Sequence, residues 1–230
     1  LSLYVLSYIL LHIAFLNMFG YPIGIICMKR DTTEEKRKLF VAIAGNIGAG
    51  KTTLTRLLSK KLGWKAYYER VIDNPYLSDF YNDMKRWSFH LQIYFLSNRF
   101  RSQKEISEWP DSCIQDRSIY EDVDIFAYTL YKNGFMSERD YSNYRDLFSI
   151  MVSYLRKPDL IIYLKAPINR LQDHINKRGR DYEKSIDLDY LIKLNDAYDE
   201  WIDRAEENNL NIQIYDITNR DFENNEEDFL

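Results

Sequence analysis

Gly45, Gly50, Lys51 and Thr52 occupy the fixed positions of G-x-x-x-x-G-K-[ST] within the run AGNIGAGKTT. These residue types at this spacing hold phosphate. The glycines let successive backbone N–H groups close around an anion at a helix N-terminus, the lysine adds a mobile point charge, and the hydroxyl can hold Mg²⁺. Two carboxylates, Glu69 and Asp116, complete a minimal set for phosphoryl transfer: a base near an attacking hydroxyl and an acid near the metal. Taken alone, an acid at a strand end is more often a helix cap or a solvated group; the pair gains weight from its position beside the phosphate loop. The basic cluster Lys177, Arg178 and Arg180 is either a solvated helix end, favourable to the helix dipole, or a lid that closes over the donor's phosphates.

The elements that must position these groups follow from hydrophobic pattern. KLFVAIA (38–44) predicts a buried strand directly before the loop, and TTLTRLLSKKLG a helix directly after it, with Leu54, Leu57, Leu58 and Leu62 at helical spacing and Gly63 as its stop. Further strands are expected at WKAYYE (64–69), Cys113 to Gln115, Pro158 to Ala166 and Asn211 to Ile217. Helices are expected over Arg86 to Ile106, with an apolar face of Phe89, Ile93, Leu96 and Phe100, and over VDIFAYTLYKN, SERDYSNYRDLFSIMVSYLR, NRLQDHINKRGR and DLDYLIKLNDAYDEWIDRAEEN. Strands alternating with helices imply a parallel sheet covered on both faces, with ligands beyond the strand carboxyl ends. Glu69, Asp116 and the phosphate loop all fall at such ends.

Composition sets limits. The 230 residues suffice for one large α/β domain. A net charge of −4 argues against a protein that coats nucleic acid. Cys27 and Cys113 make no disulfide framework, and His12, His90 and His174 show no metal-ligand spacing. Residues 1–27 carry no charge and are long enough to cross a bilayer, yet lack a basic n-region. Two readings stand: an anchor with its basic flank in the cytoplasm, or an over-extended reading frame whose start is Met28. The second is favoured, because the first strand follows Met28 so closely. Either places the domain formed by residues 28–230 in the cytoplasm.

In order and spacing, GNIGAGKTT, Glu69, DNPYLSDFY, RWSFHLQIYFLSNR, DRSIYEDVDIF and KRGRDYE resemble the deoxyribonucleoside kinases, from about Lys38 to Phe222. The resemblance implies an α/β fold, a P-loop nucleoside-kinase three-layer sandwich with a parallel five-stranded sheet and helices on both faces. It also implies ATP-dependent phosphorylation of a deoxyribonucleoside with Mg²⁺, in a homodimer. Site roles carry over on the matching positions. Gly45, Asn46, Ile47, Gly48, Ala49, Gly50, Lys51, Thr52 and Thr53 would bind ATP with Arg178, Arg180, Asp221 and Phe222. Glu69 would be the base, with Arg117 and Lys51 catalytic, and Thr52 and Asp116 would hold Mg²⁺. Gln92 would read the base edge, Phe126 stack on it, and Tyr81 with Glu183 hold the sugar's secondary hydroxyl. Arg99 and Asp122 match a charged pair that thymidine-accepting relatives lack, so a purine deoxynucleoside is expected first and deoxycytidine second.

Departures from the pattern are Arg70, where many members have Pro, His174, where several have a lid arginine, and a DITNRDF loop one residue longer than usual. The chain also stops soon after that loop, which suggests a C-terminal truncation. Two other functions were weighed: a thymidylate-type kinase, which would need basic residues gripping an acceptor phosphate, and a non-catalytic relative such as a structural subunit of respiratory complex I, which would have no need of the intact Lys51, Thr52, Glu69, Asp116 and Arg117.

Overall fold

A computed structural model describes residues 38–69, 71, 74–204, 210–225 and 228. The apolar segment 1–27, Met28 and Arg70 lie outside the described residues. The chain divides into a compact unit spanning Leu39–Asn219 and a second formed by Leu1–Lys38 with Arg220–Leu230. Among the described residues of the second, Asp221 closes a turn, its carbonyl accepting from the N–H groups of Asn224 and Asn225.

The larger unit is built on five strands: β1 (Phe40–Gly45), β2 (Lys65–Tyr67), β3 (Cys113–Asp116), β4 (Leu160–Lys165) and β5 (Ile212–Asp216). All pair in parallel, in the order β2-β3-β1-β4-β5. β1 is central and wholly buried, which its sequence FVAIAG allows because no side chain in it is polar. Its two neighbours are distant in sequence, so chain direction across the sheet reverses at β1. The crevice of an open α/β sheet opens at such a point, and the phosphate loop leaves β1 there. The strand expected over 64–69 shrinks to three residues because β2 is an edge strand paired only with β3.

Right-handed crossovers place α1 (Lys51–Leu62) on one face, since it alone carries the chain from β1 towards β2. The later crossovers carry α2 (Leu77–Asn82), α3 (Met84–Glu108), α4 (Ile119–Glu121), α5 (Tyr128–Lys132), α6 (Glu138–Val152), α7 (Ile168–Arg178) and α8 (Leu188–Asp203); α3 and α8 share one buried cluster with Phe40, Ala42 and Tyr163 of the sheet. A π-helical turn, Asp122–Ala127, joins α4 to α5, and a 3₁₀ turn, Asp181–Ser185, follows α7. The short α2 and the 3₁₀ turn carry no periodic signal and were not expected.

One expectation is corrected. The most buried positions of α3 are Ser88, Leu91, Gln92, Leu96, Arg99, Gln103 and Ile106, whereas Phe89, Ile93 and Phe100 are only half-buried. The inward face of α3 borders the cleft and carries polar groups, so apolar periodicity points to the neighbouring stripe instead.

Candidate active site

The loop between β1 and α1 is shaped by glycine. Gly48 (φ +85°) lies so close to α7 that an added Cβ would meet the Leu171 carbonyl oxygen at 2.6 Å. His174, also on α7, has its Nδ1 2.8 Å from the Gly48 carbonyl, so that nitrogen carries the proton and donates. This residue therefore does not stand in for a missing lid arginine. It ties the lid helix to the phosphate loop.

Lys51 is buried, and its Nζ donates to the Asn46 carbonyl at 2.9 Å. Burial, with Arg117 nearby, lowers its pKa to about 7. The Thr52 hydroxyl donates to Asp116 Oδ2 at 2.5 Å, while the buried Oδ1 of Asp116 has no partner among the described residues. Burial pushes the Asp116 carboxyl up despite the pull of Lys51. A hydroxyl beside a carboxylate with an orphaned oxygen fits a magnesium ion, which takes one or two protein oxygens and completes its shell with water and phosphate. No group of three or more His, Cys, Asp or Glu side chains that could hold a metal ion occurs among the described residues.

Glu69 stands two residues past the end of β2. Its Oε1 accepts from Arg99 Nη2 at 2.8 Å and from Arg117 Nε at 2.9 Å. Its Oε2 makes no hydrogen bond among the described residues. Burial alone would raise this carboxyl, but the two guanidinium groups overcome it and hold the pKa at about 2. Arg117 begins directly after β3 in the left-handed region (φ +71°), the only non-glycine residue with positive φ among the described residues. That conformation costs on the order of 1–3 kcal/mol, so the surroundings must hold it. Its guanidinium carbon also lies 4.5 Å from the centroid of the Phe126 ring.

These groups line one cavity of about 410 Å³, a size suited to a small ligand. Lys51, Thr52, Glu69, Tyr81, Gln92, Arg117, Asp122, Phe126, Arg178, Arg180 and Glu183 all face it. Gln92 is buried, and its Oε1 has no partner among the described residues, so the amide is poised for a ligand. Asp122 and Phe126, four residues apart in the widened π turn, both reach the cavity wall. Glu183 accepts from Arg178 Nε (2.9 Å) and Nη2 (2.6 Å) and from Arg180 Nη1 (3.3 Å). Arg178 and Arg180, the expected lid arginines, are thus held by the carboxylate expected to meet the sugar.

Arg99 differs from its expected place. It grips Asp122 through Nε at 3.0 Å and Nη2 at 3.2 Å, so the charged pair exists. The arginine itself, however, lines a smaller space behind Glu69, with Asn98, Ser102 and Gln115. It connects the base to Asp122 from outside the main cavity. Asp221 and Phe222 belong to the second unit, and their assignment to the donor rests on the resemblance alone.

The deoxynucleoside kinase family profile matches residues 41–230. The chain belongs to the deoxynucleoside kinase family. This deoxynucleoside kinase is 44% identical over 184 residues to the deoxyadenosine/deoxycytidine kinase of Bacillus subtilis, covering 78% of this chain and 85% of that one. It is 37% identical to the deoxyguanosine kinase of the same organism, over 83% of this chain and 92% of that one. Among solved structures, deoxyadenosine kinase from M. mycoides with bound dATP superposes with a TM-score of 0.70 at 32% identity, over 77% of this chain and 90% of that one. The same enzyme with dCMP and dCDP as products gives 0.71 at 33% identity, with the same coverage.

Sequence reasoning missed two residues of this kinase's site. Glu121 and Tyr198 form a buried network with Arg117 and Gly45. Glu121 had a legible signal, since Ser118-x-x-Glu121 is a capping box and is formed as one. Tyr198, one of 19 tyrosines, had none.

Proposed function

We propose that this deoxynucleoside kinase transfers the γ-phosphoryl group of ATP to the 5′-hydroxyl of a deoxyribonucleoside, with a purine, deoxyadenosine first, as its preferred acceptor. The observation that carries the reading is Glu69, which lines the cavity and is fixed by two arginines through one oxygen, the other making no hydrogen bond among the described residues. In the reaction the acceptor oxygen forms its bond to the γ-phosphorus as the bond to the bridging oxygen of ADP breaks. The hydroxyl proton passes to Glu69. A carboxylate with a pKa near 2 is a weak base, so this transfer comes late, when the bond to phosphorus has made the hydroxyl acidic; a loose transition state permits that order. Lys51 meets the phosphates, and Arg117 faces the charge that develops between donor and acceptor. Thr52 and Asp116 would hold Mg²⁺, which supplies charge neutralisation on the donor phosphates.

Gln92 can donate to and accept from a base edge, and Phe126 offers a face for stacking. Tyr81 and Glu183 suit an uncharged sugar hydroxyl. Deoxycytidine is the second reading: the Bacillus subtilis relative is named for both deoxyadenosine and deoxycytidine, and an amide that both donates and accepts suits either base. A homodimer and a cytoplasmic setting follow from the resemblance and are part of the proposal; sedimentation of the purified protein tests the first. No helix among the described residues is long and apolar enough to cross a membrane.

The test is phosphorylation of deoxyadenosine, deoxyguanosine, deoxycytidine and thymidine, each offered separately with Mg²⁺ and ATP, beside a Lys51→Ala control. Turnover that depends on Lys51 and favours a purine is expected. Turnover favouring thymidine would overturn the specificity, and turnover surviving Lys51→Ala would overturn the assignment of the loop.

A further inference from the structure

Glu121 is fully buried, and every group that touches its carboxylate donates. Oε1 accepts from the Gly45 N–H at 3.1 Å, from Arg117 Nη1 at 3.1 Å and from the Tyr198 hydroxyl at 2.6 Å. Oε2 accepts from the Ser118 N–H at 2.7 Å. Arg117 Nη1 also reaches the Tyr198 hydroxyl at 2.9 Å and the Gly45 carbonyl at 3.3 Å, and that hydroxyl lies 2.8 Å from the same carbonyl. Gly45, the first glycine of the phosphate loop, is therefore gripped at both its N–H and its carbonyl by the groups that also grip Arg117. The Tyr198 ring is itself fixed, stacked on Tyr163 of β4 with centroids 5.2 Å apart and planes at 12°.

We infer that Glu121 and Tyr198 are positioning residues for phosphoryl transfer, clamping Arg117 to the start of the phosphate loop. The inference rests on the functional reading above. Arg117 sits between two carboxylates with different tasks. Glu69 loses its negative charge when it takes the hydroxyl proton. Glu121, remote from the acceptor, keeps its own. An arginine held by Glu69 alone would lose its anchor as the transition state is passed; with Glu121 and Tyr198 beneath it, the guanidinium stays where charge develops. Only an ionised carboxylate accepts from all these donors at once, because an amide at this position would turn its NH₂ group against one of them.

Tyr198→Phe removes the hydroxyl and leaves the stacked ring. Loss of the hydrogen bonds to Glu121 and Arg117 predicts that kcat falls about tenfold or more, with the fold retained and the deoxynucleoside KM close to wild type. Affinity for a non-hydrolysable ATP analogue, measured by calorimetry, is expected to weaken several-fold in parallel. Glu121→Gln should act in the same direction and more strongly, and the double variant should lose less than the product of the two. Wild-type kcat and analogue affinity in Tyr198→Phe would overturn the inference, and so would independent, multiplicative effects in the double variant. If the wild-type protein binds the analogue but phosphorylates no deoxynucleoside, the functional reading fails by itself, and the analogue affinities still decide for or against the clamp.

Discussion

At the scale of single residues, Glu69, the proposed base, is held in place at the expense of its basicity. Two guanidinium groups fix one carboxylate oxygen and depress its pKa to about 2. In the proposed mechanism the carboxylate then orients the hydroxyl by hydrogen bonding and receives the proton late. Glu69→Gln keeps the shape and should leave deoxynucleoside binding nearly intact while lowering kcat by about a hundredfold or more; single-turnover kinetics beside equilibrium binding would separate the two, and unchanged kcat would remove Glu69 as base. Arg99 carries a second consequence. Because it holds Glu69 as well as Asp122, Arg99→Met should reduce turnover of every deoxynucleoside, by about tenfold, besides relaxing the choice among them. A change in preference alone, with kcat preserved for one substrate, would show that Arg99 does not support the base. The phosphate loop, Glu69, Asp116 and Gln92 were legible because motif position names them. Arg99 was legible as a partner of Asp122 but not as a residue outside the cavity, since a sequence gives the pairing of charges without the side from which each approaches.

At the scale of elements, the contact between the loop and α7 matters most. Gly48 and His174 join two segments far apart in sequence, and the lid arginine Arg178 ends the same helix. Gly48→Ala would place a methyl against the Leu171 carbonyl and force a left-handed conformation. A cost of about 1–2 kcal/mol comes from the backbone alone, and more follows if α7 is displaced. Loss of stability in denaturant titration and an ATP KM raised by about tenfold are expected together; a stability loss with an unchanged ATP KM would mean that α7 can move without disturbing the loop. The strands were legible from apolar runs to within two or three residues at each end. The inward face of α3 was not, because Gln92, Arg99 and Gln103 are buried polar residues, and periodicity counts only apolar ones. The π turn was equally invisible: its sequence DVDIFA fits an ordinary helix, and only the packed structure shows the widened turn that brings Asp122 and Phe126 to the cavity.

At the scale of the whole molecule, the strand order makes the end of β1 a crevice, and the chain fills that crevice with charge. Lys51 is the clearest burden on stability. Its folded pKa of about 7 lies below the ordinary 10.5, so between those values the unfolded chain binds the extra proton and stability rises with pH. The slope from this one group approaches about 1.4 kcal/mol per pH unit within the window. Below pH 7 the lysine is charged in both states, and its burial costs on the order of a few kcal/mol, which the phosphates of a bound donor would offset. Lys51→Met removes the charge and keeps an unbranched side chain one atom shorter. It should abolish turnover yet leave the protein at least as stable as wild type at pH 7, because replacing a buried charge by an apolar group of similar volume is often neutral or stabilising. The difference between the two unfolding free energies, followed by denaturant titration from pH 7 to 10.5 so that all other titrating groups cancel, should then shrink and reverse as the wild type gains stability. Parallel curves would mean that water reaches the ammonium inside the fold and that its charge is not a burden. A Met variant of much lower stability at every pH would instead make the bond from Lys51 to the Asn46 carbonyl part of what folds the loop.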